Sequence, residues 1–208
     1  MKMHIAFDMP DLERALSLAH SLAEYADAFE IGLLLIYKYG EQAIKEFKKK
    51  FPQKTLIIDS KIIDHGKESA LLFAEAGADW ITVMAGTPTA IIRAVCSTAA
   101  EKGKKVMLDL LDVSSLGQAA LEAESLGIDA LLLHMAPQAN EEIFLDTWEI
   151  VRGNSPLPIF IASYVTRETL PGIIALNPAG LIVGRAIVQS TDPLLEAKHF
   201  DSLIHSSK

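Results

Sequence analysis

The chain has 208 residues, half of them hydrophobic and 22% charged, a composition that suits a globular protein able to bury one full core. Its 27 acidic residues against 19 Lys and Arg leave a formal net charge of −8, which argues against a general nucleic-acid role, because neutralising phosphates needs a basic face. The single cysteine, Cys96, excludes an internal disulfide, and no apolar run reaches the length of a membrane span.

Eight short apolar runs follow one another: HIAF, AFEIG, TLIID, WITVM, VMLDL, ALLLH, IFIAS and LIVG. Their centres fall near residues 5, 29, 57, 82, 107, 132, 160 and 182, a repeat of about 25 residues, which is what one strand plus one helix requires. Being rich in Ile, Val and Leu on both faces, the runs predict parallel strands covered on both sides. Met1 leads straight into the first run, with no charged segment and signal-like apolar stretch before it, so a cytoplasmic protein is expected.

The segments between the runs predict amphipathic helices. In DLERALSLAHSLAEYA, Leu12, Ala15, Leu16, Ala19 and Leu22 keep helical spacing, and Asp11 supplies negative charge at the helix start. EQAIKEFKKKF, ESALLFAEAGA, PTAIIRAVCSTAAEKG, LGQAALEAESLG and EIFLDTWEIVRG follow the same pattern, with Gly77, Gly103, Gly127 and Gly153 placed as C-caps. The tail EAKHFDSLIHSSK predicts a last helix that frays at its polar end. Lys45, Lys48, Lys49, Lys50 and Lys54 read as a solvated helix end, Cys96 as a small core residue, and Tyr25, Tyr37, Tyr39, Trp80 and Trp148 mostly as packing. No linker or break in composition divides residues 1–208, so strands and helices alternate through a single domain, a (β/α)8 TIM barrel.

In that architecture the C-terminal strand ends gather at one mouth, where active sites lie. The residues at or just past those ends are Asp8, Glu30, Asp59 with Lys61, Asp109, His134 and Arg185. The densest stretch is DSKIIDHG, residues 59–66. On an extended backbone Asp59 and Lys61 share a face, and Asp64 follows in the loop. A lysine between these two carboxylates keeps its charge and can stabilise an oxyanion that develops during reaction.

DSKIID resembles the Asp-x-Lys-x-x-Asp signature of the orotidine monophosphate decarboxylase superfamily. The resemblance extends through AFDMPDLERAL, FEIG, AEAGADWITV, GKKVMLDLLDV, LGIDALLLH and LIVGRAI, in that order and nearly end to end. Within the superfamily the chain is similar to the branch holding 3-hexulose-6-phosphate synthase and 3-keto-L-gulonate-6-phosphate decarboxylase. The resemblance implies a Mg²⁺-dependent carbon–carbon lyase, a dimer with sites near the subunit interface, a phosphorylated sugar substrate and an enediolate intermediate. It places Glu30 and Asp59 on the metal, Asp8 on the substrate, Lys61 beside the reacting centre, and Asp64 in the partner subunit's site. It also makes His134 the acid–base histidine, a residue type suited to proton transfer near neutrality, and assigns Gly184 and Arg185 to the phosphate.

The branch divides around the fifth and sixth strands. The decarboxylase pattern has Glu and Arg where this chain has Asp109 and Pro137; Asp109 is what the synthase pattern carries. The resemblance therefore favours the synthase reaction, aldol joining of formaldehyde to ribulose 5-phosphate and its reverse, with the decarboxylase as the alternative. The chain also departs from the family. Ser163 and Tyr164 stand where a Gly-Gly pair approaches the phosphate, and Ser163 is then a candidate ligand to the substrate. Leu33 and Leu34 replace a Thr or Ser and Pro. Gln138 and Asn140 replace Asp and Gln, and Asp112 replaces a Gly, which puts an acid near an anionic substrate. A barrel retained as a non-catalytic binding protein is a further alternative, favoured by Ser163-Tyr164 and Leu33-Leu34.

Overall fold

The computed structural model describes residues 1–111, 113–135 and 141–205. In chain order the elements are β1 (Lys2–Phe7), α1 (Leu12–Leu22), β2 (Ala28–Ile31), α2 (Leu33–Tyr39), α3 (Glu41–Lys50), β3 (Thr55–Ile62), α4 (Gly66–Ala76), β4 (Trp80–Met84) and α5 (Thr89–Glu101). They continue as β5 (Lys105–Asp109), α6 (Leu116–Leu126), β6 (Ala130–His134), α7 (Glu141–Asn154), β7 (Ile159–Ala162), α8 (Leu170–Ala175), β8 (Gly180–Val183), α9 (Arg185–Val188) and α10 (Pro193–His205). Each strand pairs in parallel with the next, and β8 closes on β1 through Met3↔Leu181 and Ile5↔Val183. The result is a closed eight-stranded (β/α)8 barrel, the fold the apolar repeat predicts.

Alternation along the strands divides the core in two. Met3, Ile5 and Phe7 of β1 point outward, into the layer shared with the helices. There Phe7, Phe29, Phe47 and Phe51 meet at ring centroid separations of 5.1–6.3 Å, several of them edge to face. The inward set is Ala6, Met107, Ala130, Leu132, Phe160, Ala162 and Ile182, with Trp80 against it. Lower in the barrel His4 stacks on Phe160, with centroids 4.9 Å apart. Gly180 makes room for that ring, since a Cβ there would lie 2.7 Å from Phe160 Cε1.

Gly77 and Gly127 end α4 and α6 in left-handed conformations, with φ of 111° and 91°, as glycine C-caps do. Gly153 does not cap, because α7 runs through it to Asn154. The basic cluster is only partly a solvated helix end: Lys48 pairs with Asp79 at 2.8 Å, and Lys54 Nζ donates to the Ala23 and Ala26 carbonyls. Trp148 is buried as expected, but Tyr37 is 76% exposed and packing does not account for it. Leu33 and Leu34 open a helix, α2, directly after β2. Among the described residues no helix is long and apolar enough to cross a membrane. Asp112, Pro137, Gln138 and Asn140, and the polar end of the tail from 206 to 208, lie outside the described residues.

Candidate active site

β3 carries the key side chain, and not by simple alternation. Its register against β4 shifts between Ile58 and Ile62, and Lys61 sits in this irregularity with φ of 44°. The extended backbone expected to put Asp59 and Lys61 on one face is therefore broken at Lys61, although the two side chains still meet. Thr82 of β4, fully buried, holds the distortion: the Lys61 N–H donates to Thr82 Oγ1 at 2.9 Å, and Ser60 Oγ donates to the Thr82 carbonyl at 2.8 Å. Inside a run as apolar as WITVM, the one hydroxyl was the signal that could have marked Thr82.

The bulge turns the Lys61 ammonium inward. Its Nζ lies 2.5 Å from Asp109 Oδ2 and 3.1 Å from Asp59 Oδ1. The lysine does sit between two carboxylates, but the second is Asp109 of β5, not Asp64. Asp64 is exposed, and its Oδ1 accepts the His65 N–H at 2.7 Å. Burial alone would weaken the ammonium's hold on its proton, yet Asp59 and Asp109 outweigh it and hold Lys61 above the usual lysine range. Asp109 is fully buried. Burial pushes its carboxyl up, while the neighbouring His134 and Lys61 pull it further down, so it stays ionised.

His134, the last residue of β6, joins this group. Its Nε2 lies 2.9 Å from Asp109 Oδ1, close but not aligned as a hydrogen bond, and its Nδ1 lies 3.0 Å from Ser163 Oγ. Asp109 Oδ1 also accepts the Leu111 N–H at 3.0 Å. Ser163 and Tyr164 both take left-handed backbone, with φ of 63° and 48°. The turn after β7 thus keeps a shape that glycine adopts most easily, with side chains on it. His134, Ser163 and Tyr164 line a cavity of about 400 Å³ whose other walls are largely apolar, Leu110, Leu111, Val113 and Phe144 among them.

Glu30, at the end of β2, is buried with no hydrogen-bond partner for Oε2. Burial first, then the charge of Asp59, raises its carboxyl well above the ordinary range. Asp59 is raised as well, by burial against the pull of Lys61, and its Oδ1 lacks an aligned hydrogen bond despite the nearby ammonium. Two neighbouring carboxylates, one buried and one half-buried, with open oxygen sites are the donor set a hard divalent cation takes. Among the described residues no group of three or more His, Cys, Asp and Glu is placed to hold a metal ion together.

The remaining predicted residues lie at the rim. Asp8 is exposed and its Oδ1 accepts the Leu34 N–H at 2.9 Å, capping α2. Gly32 allows this approach, since a Cβ there would fall 2.6 Å from Asp8 Cα. Gly184 precedes the short α9, and the exposed Arg185 places its guanidinium 5.7 Å from the Tyr164 ring centroid.

A closed (β/α)8 barrel with a carboxylate–ammonium–imidazole cluster at its C-terminal mouth defines the chain as a barrel enzyme by class. The profile of the orotidine 5'-phosphate decarboxylase / HUMPS family matches residues 1–200, and the chain belongs to that family. It is 30% identical over 207 residues to a 3-hexulose-6-phosphate synthase of Bacillus subtilis, covering 98% of this chain and 99% of the relative. The crystal structure of 3-hexulose-6-phosphate synthase from Salmonella typhimurium superposes with a TM-score of 0.92 at 27% identity, covering all of both chains. A 3-keto-L-gulonate-6-phosphate decarboxylase from Vibrio cholerae, 24% identical with a TM-score of 0.83 over 98% of each chain, shares the fold.

Proposed function

We propose that the chain is a carbon–carbon lyase that joins formaldehyde to ribulose 5-phosphate by an aldol reaction and cleaves the product in reverse, through an enediolate. The observation that carries this reading is the Lys61 ammonium held between Asp59 and Asp109 beside His134. An enediolate is an oxyanion that forms only during reaction. A fixed, always-charged ammonium in a partly desolvated site stabilises that charge more than it stabilises the neutral carbonyl. His134 moves the proton, and Asp109 steadies the imidazolium that results.

Glu30 and Asp59 would hold Mg²⁺, which supplies Lewis-acid polarisation of the sugar's oxygens. Asp8 takes a sugar hydroxyl at the rim, and Gly184 and Arg185 take the phosphate, to which a guanidinium offers paired N–H donors. In a homodimer the exposed Asp64 reaches the partner's site. The reading places the enzyme in the cytoplasm. Asp109 in place of Glu, and Pro137 in place of Arg, favour the synthase over the decarboxylase reaction.

Lys61→Ala should lower formaldehyde release on the order of 10³-fold or more, with near-UV circular dichroism retained. Unchanged turnover would remove Lys61 from the mechanism. A non-catalytic binding barrel is the second reading, favoured by the Tyr164 side chain at the cavity wall. It predicts stabilisation by sugar phosphates in a thermal-shift series without turnover.

A further inference from the structure

Ser163 stands at a costly backbone position. Its φ of 63° is left-handed, and so is the φ of 48° at Tyr164. Such a conformation is unfavourable for a non-glycine residue, and residues held in it cluster at functional sites. The turn is pinned from outside by Thr169 Oγ1, which donates to the Tyr164 carbonyl at 2.8 Å. What the serine adds over a glycine is one hydroxyl, and that hydroxyl lies 3.0 Å from His134 Nδ1.

The other side of the ring faces an anion. Asp109 Oδ1 lies 2.9 Å from His134 Nε2, and the carboxylate is fully buried. A carboxylate repels a ring lone pair and attracts an N–H, but this contact is not aligned as a hydrogen bond, so Asp109 favours the proton on Nε2 without fixing it there. Nδ1 then carries the lone pair, and the Ser163 O–H donates into it. Both ring nitrogens are turned toward protein atoms, while the Ser163 oxygen keeps further lone-pair capacity and lines the same cavity as His134.

We propose that Ser163 is the proton relay of His134, fixing the ring as its Nε2–H tautomer and passing protons between Nδ1 and the bound sugar. The inference rests on the lyase reading above. In the cleavage direction the carbinol O–H of the departing carbon breaks and its proton passes to Ser163 Oγ. Ser163's own proton forms the new Nδ1–H bond, and the imidazolium faces Asp109. The electrons of the breaking C–C bond become the enediolate as formaldehyde leaves. The Nδ1 proton then returns to Ser163 Oγ while the serine's proton goes to the enediolate carbon. One proton is taken and one given back, and nothing is oxidised or reduced.

Ser163→Gly is the informative variant, because glycine suits the left-handed backbone and folding is not put at risk. Two measurements are made on wild type and variant. Long-range proton–nitrogen correlation spectra of the ligand-free protein read the His134 tautomer. The wild type should show the Nε2–H form alone, and Ser163→Gly a mixture of both forms. Steady-state formaldehyde release should show kcat reduced on the order of 10²-fold, with KM little changed. A merely structural serine would leave both unchanged in the glycine variant. Active wild type with an equally active Ser163→Gly overturns the relay alone. Wild type that releases no formaldehyde overturns the lyase reading, and the tautomer spectra still decide whether Ser163 orders His134.

Discussion

Glu30 shows how much of the site's behaviour is set by single buried charges. Its carboxyl holds a proton more tightly in the folded chain than in the unfolded one, because burial and then Asp59 oppose its ionisation. Below its ordinary value of 4.5 both states keep that proton, and the group costs nothing. As pH rises past that value, the unfolded chain loses the proton first. Folded stability therefore falls through the window up to the raised folded pKa and stays low above it. In metal-free protein, Glu30→Gln should raise Tm at neutral pH and flatten this decline, and it should also remove any added stability from Mg²⁺. Thermal melts across pH with and without Mg²⁺ check this; a neutral-pH Tm lowered by Glu30→Gln would contradict it. Lys61, by contrast, was legible in sequence as the charge at the centre, since DSKIID places it between carboxylates. Asp59 was read correctly as one of them, but the second was not legible. Asp109 is 48 positions away, and only barrel closure brings it to the ammonium.

At the scale of elements, the strands were the legible part. All eight apolar runs are strands of the barrel, because burial on both faces leaves an unbroken Ile, Val and Leu signal. What sequence did not show was departure from regularity. The β3 bulge depends on Thr82 across the ladder, and α2, α8 and α9 are too short for periodicity to mark them. The lower barrel carries its own consequence. His4 in β1 is 4% exposed, and its Nδ1 has no hydrogen-bond partner. Burial lowers its pKa from 6.5 to about 4, partly opposed by Asp27. The folded chain keeps this ring neutral where the unfolded chain protonates it. Its stability cost is therefore absent above pH 6.5 and grows as pH falls toward 4, reaching about 3 kcal/mol. His4→Leu should remove that component. Urea unfolding at several pH values between these limits should show the wild type losing stability relative to the variant; parallel curves would contradict it.

At the scale of the whole molecule, the fold gathers Glu30, Asp59, Lys61, Asp109 and His134 from four strands at one mouth, and leaves Asp64 exposed at the surface. The proposed homodimer would bring a partner's site to an aspartate so placed. Mixing two inactive variants tests this. Lys61→Ala and Asp64→Ala chains, co-refolded, should form heterodimers with one intact site each, recovering about a quarter of wild-type activity in a statistical mixture. Activity no greater than that of the separate variants would place Asp64 outside the partner's site.

The central claim is the aldol reaction itself, and formaldehyde release from hexulose 6-phosphate tests it most directly, with and without Mg²⁺ and beside carbon dioxide release from 3-keto-gulonate 6-phosphate. The account predicts metal-dependent formaldehyde release and little carbon dioxide. Carbon dioxide alone would make the protein a decarboxylase despite Asp109 and Pro137, and silence in both assays would contradict the lyase account, with Tyr164 the first residue to replace.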